Sequence, residues 1–255
     1  MRNKIIIAII SVTAVFFGAN MASAASAPAP ADCALTAADV AQIAAVQNNP
    51  TLTYLEEVKQ ELAVRKSLIA KIIACAQGQA DALQGELANA QVPADATALK
   101  SQLIDKLSDA DNFYGIESGK LDQAGIAGTQ AIAKELLAWR ASSYAPLAGE
   151  VNNFILWSEN QALFVTAANR MDETRRAVTF LESISNDSDL EASLGDAESS
   201  FAAAQAKNME AKTALAEFLP PDQSLATIKE SLGLLSDTYQ KFSNVSDLIK
   251  KVLPQ

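Results

Sequence analysis

From Leu190 onward, apolar side chains recur with a regularity that fixes the local geometry. Leu190, Leu194, Ala197, Phe201, Ala204, Asn208, Ala211, Leu215 and Phe218 follow one another in alternating steps of four and three. This is the heptad spacing that keeps one face of a helix turned toward a partner helix. Pro220-Pro221-Asp222 then makes a sharp turn, after which Leu225, Ile228, Leu232, Leu235, Tyr239, Phe242, Ser246, Ile249 and Leu253 repeat the alternation. Two such helices joined by a tight turn predict an antiparallel, coiled-coil-like C-terminal hairpin, roughly 45 Å long at ~1.5 Å per residue. Asn208 puts an amide into the first seam, where it either fixes register or sits half exposed beside small alanines.

The upstream pattern is helical as well. Thr36 with Asp39 starts a helix in capping-box style, Asn48-Asn49-Pro50 stops it, and Thr53 with Glu56 starts the next. That second helix runs toward Ala88 with Leu55, Val58, Leu62, Ile69, Ile72, Ala76, Leu83 and Leu87 on one stripe; Gly78 and Gly85 weaken its far end and Val92-Pro93 closes it. A third helix from about Asp95 carries Leu99, Leu103, Leu107, Ala110 and Tyr114, and the glycines at 115, 119, 125 and 128 predict a loop or hinge. A fourth, from about Thr129, bears Ile132, Leu136 and Trp139 and meets Pro146, which lacks an N–H donor and so kinks or interrupts it.

From Leu147 to about Ser185 the pattern is apolar on more than one side. Phe154, Ser158, Gln161 and Val165 share one stripe, while Leu156, Leu163 and Leu181 lie on the opposite face, as expected of a central helix. No alternating β-branched run occurs. The expected fold is therefore all-α, an elongated antiparallel bundle of about five to six long helices over residues 36–255, either as one domain or divided into sub-bundles at 36–128 and 129–255.

The N-terminus has a different character. Arg2 and Lys4 precede an apolar run from Ile5 to Ala19 and then small residues, the three parts of a secretory signal. Ala22-Ser23-Ala24 forms the cleavage site, so residues 1–24 are expected to be removed and residues 25–35 to form an Ala/Pro-rich linker. An apolar run of about 15 residues falls short of the ~20 needed to span a bilayer, so retention as an anchor is the lesser alternative. The expected destination is the periplasm or the medium of a bacterium. Loss of Arg2 and Lys4 takes the net charge from −10 to −12, with 30 acidic residues remaining, which argues against a nucleic-acid ligand.

Export places Cys33 and Cys75, the only cysteines, where disulfides persist. With a hairpin at Pro50, the outgoing arm from Cys33 is roughly 31 Å and the return arm to Cys75 roughly 36 Å. The two sulfurs land at similar height, so a Cys33–Cys75 bond is predicted.

The chain contains no histidine. That excludes Ser-His-Asp and Cys-His catalysis, His-ligated zinc and the Glu-x-x-His di-iron motif. No phosphate-binding glycine loop is present, and acids such as Asp172 are spaced to pair with bases, here Arg175 and Arg176, on the same helix. No enzymatic activity, cofactor or metal is expected. Asp187-Ser188-Asp189-Leu190-Glu191 has the alternating oxygens of a calcium loop, but Ala192 stands at the glycine position, so an acidic helix cap is the better expectation. The sequons at Asn186 and Asn244 matter only in a eukaryotic secretory pathway.

One segment concentrates the remaining candidates. Between Leu136 and Trp157 lie both tryptophans, Trp139 and Trp157, with Arg140, Tyr144 and Pro146 between them, and four of the six arginines fall between Arg140 and Arg176. Arg140 is four residues before Tyr144, within stacking reach. Arg170 falls one heptad after Leu163 and so emerges from an apolar face, either in an ion pair or facing an anion. Trp139, Arg140, Tyr144, Trp157 and Arg170 are thus the candidate ligand or ion-pair site, with filling of the gap left by a bent helix as the competing role.

The run Trp139-Arg140-x3-Tyr144-x-Pro146, with Phe154-Ile155-Leu156 and Ala168-Asn169-Arg170 after it, resembles segments of uncharacterised exported all-helical bundle proteins of bacteria, over about residues 110–185. The resemblance implies an exported helical fold and supplies no catalytic residues. The expected function is a non-enzymatic structural or protein-interaction role, with an unknown protein partner or self-association through the heptad seams. No nucleic acid is expected as partner, nor stable membrane insertion after leader removal. The alternative is a soluble extracytoplasmic bundle that binds or senses a small molecule.

Overall fold

The computed structural model describes residues 33, 35–185 and 188–252. The expected leader, most of the linker, Asn186 and Asp187 of the acidic segment, and Leu253 lie outside the described residues. The chain is all-α: α1 (Ala37–Gln47), α2 (Tyr54–Asn89), a 3-10 turn (Ala94–Ala96) leading into α3 (Thr97–Leu121), α4 (Ile126–Trp139), a π-helical turn (Arg140–Tyr144), α5 (Ala145–Ser185), α6 (Ser188–Ala216) and α7 (Pro221–Val252). No strand occurs among the described residues.

Local chemistry accounts for the helix starts. Thr36 and Thr53 cap α1 and α2, each hydroxyl accepting from the backbone N–H three residues on, while Asp39 and Glu56 accept from the cap backbone in return. The α1–α2 hairpin brings Cys33 against Cys75 with Cα atoms 5.8 Å apart, and the predicted disulfide is present. Lys71 of α2 donates to the Asp39 carboxylate at 2.9 Å, and Gln47 at the end of α1 donates to Glu61, so α1 is tied to α2 at both ends.

Two hydrophobic cores result. The first gathers Ile73, Leu87, Leu103, Leu107, Tyr114, Leu136, Tyr144, Phe154 and Trp157 with Leu215 and Ile228; the second holds Phe164, Met171, Val178, Leu181, Leu190, Phe201, Leu235, Phe242 and Ile249. Helices α5, α6 and α7 run through both in alternating directions, and Leu232 packs against each. Helix α5 packs against α2, α3, α6 and α7, so it is central as expected.

The structure corrects the sequence expectations in five places. The loop expected over the glycine-rich segment is confined to residues 122–125 and includes only Gly125, because α3 passes through Gly115 and Gly119 and Gly128 lies inside α4. Burial of the apolar side chains of Leu107, Tyr114 and Leu121 outweighs the roughly 1 kcal/mol that each helical glycine costs. At Pro146 the helical path continues, and the interruption is the preceding π-turn, where the Ala145 N–H donates to the Arg140 carbonyl five residues back. Leu163 and Val165 are exposed, because α5 turns a single stripe of Val151, Phe154, Trp157, Phe164, Ala167 and Met171 inward. On α2, Leu55 is exposed and Ile73 rather than Ile72 is in the core.

The fifth correction concerns the seam of α7. Ile228, Leu235, Phe242 and Ile249 are buried as predicted, but the intervening positions are Ser224, Ser231, Thr238 and Val245, each one residue before the expected Leu225, Leu232, Tyr239 and Ser246. The hydroxyls of Ser231 and Thr238 donate to the carbonyls of Ile228 and Leu234 within their own helix, so they enter the interior already satisfied. Their small size admits the close approach of α5 and α6, and the bulkier neighbours cover the flanks.

Candidate functional site

The π-turn sets the geometry of the tryptophan segment. By widening the helix for one turn it carries Trp139, Arg140 and Tyr144 to the α3 side, where Phe113 and Tyr114 meet them. Trp139 stacks on Phe113 with ring centres 4.2 Å apart and meets Tyr114 edge-on at 5.2 Å, while Tyr114 and Tyr144 contact edge-on at 6.1 Å. Arg140 lies 5.5 Å from the Tyr144 ring and donates from Nη2 to the Gln79 side-chain oxygen of α2 at 2.9 Å.

The two tyrosines are almost fully buried. Burial pushes the Tyr114 phenol above its ordinary pKa, and the nearby Arg140 charge pulls part of that back; Tyr144 is raised by burial and then by Tyr114. The Tyr114 hydroxyl and Arg140 Nη1 are buried and make no hydrogen bond within normal geometry. Both phenols stay neutral at physiological pH, so the cluster offers one cation, held over aromatic faces and committed to Gln79.

Of the five candidates, Trp139, Arg140 and Tyr144 come together and the other two do not join them. Trp157 lies further along α5 beside Phe154, and its Nε1 donates to the Asn208 carbonyl at 3.4 Å. Asn208 and Gln161 exchange amide hydrogen bonds at 3.0 and 3.3 Å, so the polar interruption of the α6 seam has a partner on α5, between the two cores. Arg170 sits against the second core, its guanidinium 5.5 Å from the Tyr239 ring, and none of the ion pairs among the described residues includes it. Arg175 pairs with Asp172 as spaced, and also with Glu198 of α6.

Two features lie outside the candidates read from sequence. Glu150 and Asn153 of α5 and Ser224 of α7 form a buried polar cluster, in which Asn153 donates to the Pro221 carbonyl at 2.7 Å and to Ser224 Oγ at 3.0 Å, and Ser224 donates to Glu150 Oε1 at 3.0 Å. Its signal was present in the chain, since Glu150 precedes Phe154 by four residues and Trp157 by seven and thus shares their buried stripe.

The second feature is an open groove of about 580 Å³ between α3 and α4, lined by Ile116, Lys120, Gln123, Ala131, Ile132 and Glu135 among others. Lys120 there bridges the buried Glu117 at 2.5 Å and Glu135 at 3.6 Å, and its ammonium pKa is raised, by the Glu117 bond first. No group of three or more Cys, Asp or Glu side chains among the described residues is arranged to hold a metal ion. No protein-family profile matches the chain, and neither a curated protein nor a solved structure shows significant similarity to it.

Proposed function

We propose that this protein is an exported, non-enzymatic helical bundle that acts as a structural or protein-interaction module. The observation that carries the proposal is the fate of the tryptophan segment: Tyr144 and Trp157 are buried in the first core, Trp139 packs half-buried against it and Arg140 donates to Gln79, which leaves helix surface as the means of recognition. Large apolar side chains on that surface include Ile116, Leu137, Val165, Phe180 and Met209. A Cys33–Cys75 disulfide, and the absence among the described helices of one long and apolar enough to cross a membrane, are compatible with export to the periplasm or the medium. On this proposal the α6–α7 hairpin is a coiled coil whose outer faces meet a partner or a second copy.

Cross-linking in the exporting cell followed by affinity capture tests this, together with light scattering of the purified mature chain. A reproducible cross-linked partner or a dimer is the expected result. A strict monomer with no cross-linked neighbour would count against it.

One observation favours a second reading, the binding of a small molecule. The open α3–α4 groove of about 580 Å³ presents one cation, Lys120, paired with Glu117 and Glu135 and flanked by apolar Ile116 and Ile132. A ligand that raises the melting temperature, and whose effect is lost in Lys120→Ala, would shift the assignment to that reading.

A further inference from the structure

The turn between α6 and α7 is built as a fastening. Two residues beyond the end of α6, Phe218 has a positive φ of 53°, and the Leu219 N–H donates back to the Ala214 carbonyl, which turns the chain sharply into Pro220 and Pro221. Pro221 then presses on α5 so closely that a Cβ at Gly149 would lie 2.8 Å from the Pro221 Cβ. At this contact sit Glu150, 4 % exposed, and Ser224, 0 % exposed.

The surroundings of Glu150 disfavour its charged form. Oε1 accepts from Ser224, whereas Oε2 is buried with no partner. The Ser224 hydroxyl, with one proton to give, also has the Pro221 carbonyl 3.2 Å away. A carboxylate here would hold a full charge on a single shared donor, which is far more costly to bury than a neutral carboxyl.

The elements packed against this part of α5 carry charged groups that include Asp222 and Lys229 of α7, Lys212 of α6, Glu217 just beyond the end of α6, Lys106 of α3 and Arg140 of the π-turn. Lys212 is engaged by Asp95, Lys106 lies over the Phe218 ring and Arg140 is bound to Gln79. None of them shifts Glu150, whose pKa is raised by burial and drawn back only by Ser224.

We propose that the Glu150–Ser224–Asn153 cluster is an acid-operated clasp, which fastens the first turn of α7 to α5 while the carboxyl carries its proton and loosens that turn when the proton leaves. An ionised Glu150 gains water only if Pro221 and Ser224 move away from Gly149. The rest of α7 stays held by Leu235, Phe242 and Ile249, so the opening is local.

Carbon-13 NMR of the Glu150 carboxyl in the full mature chain tests the first half, with an expected midpoint above the ordinary 4.5. Amide exchange in the first turns of α7, corrected for the intrinsic rate, tests the second: opening rises about tenfold per pH unit across the window between the ordinary and the shifted midpoint. In Glu150→Gln that rise is absent. Ser224→Ala, which removes the donor that favours the ionised form, moves the midpoint higher still. A carboxyl titrating at or below its ordinary value, or a Glu150→Gln chain whose α7 exchange keeps the wild-type pH dependence, overturns the clasp.

Discussion

At the scale of single residues, glycines show how one atom is read by its surroundings. Gly78 lies inside α2 and a Cβ there would meet nothing within 4 Å, so Gly78→Ala removes only the conformational freedom that glycine brings to the unfolded chain. Stability should rise by about 1 kcal/mol. Gly149 also lies in a helix, yet its added methyl would run into Pro221 at 2.8 Å from Cβ and 2.9 Å from Cγ. The pyrrolidine ring has no torsion with which to swing aside, so α7 would have to shift from α5. Gly149→Ala should therefore destabilise by about 1–3 kcal/mol, the usual result of overpacking. Paired urea titrations check both, and two shifts of the same sign would mean that the α5–α7 approach is looser than described. Helix propensity alone predicts the same gain at both sites, which is why the close approach at Gly149 could not be read from sequence.

At the scale of elements, what was legible depended on whether one chemical cue was sufficient. The starts of α1 and α2 were readable because Thr36 with Asp39 and Thr53 with Glu56 form local capping boxes that need no tertiary partner. The α6 seam was readable because its members Leu190, Phe201 and Leu215 are large, while the buried residues one position before the latter two, Ser200 and Ala214, are small. The α7 seam was half legible: Ile228, Leu235, Phe242 and Ile249 announce themselves, but Ser231 and Thr238 look like surface residues until their hydroxyls are seen to bond within the helix. Ser231→Ala should accordingly be nearly neutral, while Ser231→Leu, which makes the heptad pattern look more regular, should cost about 1–3 kcal/mol because the site is 1 % exposed. If Ser231→Leu melts higher than the wild type, the observed register is wrong. The reciprocal amides of Asn208 and Gln161 are a pairing that no single helix encodes. Asn208→Leu alone should destabilise by about 1 kcal/mol, and a double-mutant cycle with Gln161→Leu should return a coupling of about 0.5–1.5 kcal/mol, with zero coupling showing that each amide is served by solvent. The candidate site was legible in the same measure. Arg140 and Tyr144 are one helical turn apart and meet, whereas Trp157 and Arg170 are carried away along α5 by a length of helix that residue types do not reveal.

At the scale of the whole molecule, its acids pull stability in opposite directions as pH changes. Asp39 is held down to about 2 from an ordinary 3.8, by its bond to Lys71 first and then by the Thr36 hydroxyl and backbone. Glu56 is lowered by the Thr53 hydroxyl and Asp95 by Lys212. Each of these carboxylates binds a proton more readily in the unfolded chain, so its contribution is fully present above the unfolded pKa and is lost as pH falls through the folded one. Glu150 is raised, so its contribution is present below 4.5 and is lost as pH rises through its folded value. Stability should then pass through a maximum on the acid side of neutrality, in the interval between the two losses. The lower loss is the one that a single substitution isolates. Asp39 fastens α1 to α2 beside the Cys33–Cys75 bond, which has no dependence on protons in this range, so acid should release the first turn of α1 while the disulfide keeps the segment tethered. Asp39→Asn removes the charge at every pH. Its urea midpoint should lie below the wild-type midpoint near neutral pH, and the two should converge as pH falls from about 4 to about 2, because the wild type loses there what the variant already lacks. A gap that stays constant across that range would show that Asp39 acts as a cap through its shape and hydrogen bonds alone, with no contribution from its charge to the hold on Lys71.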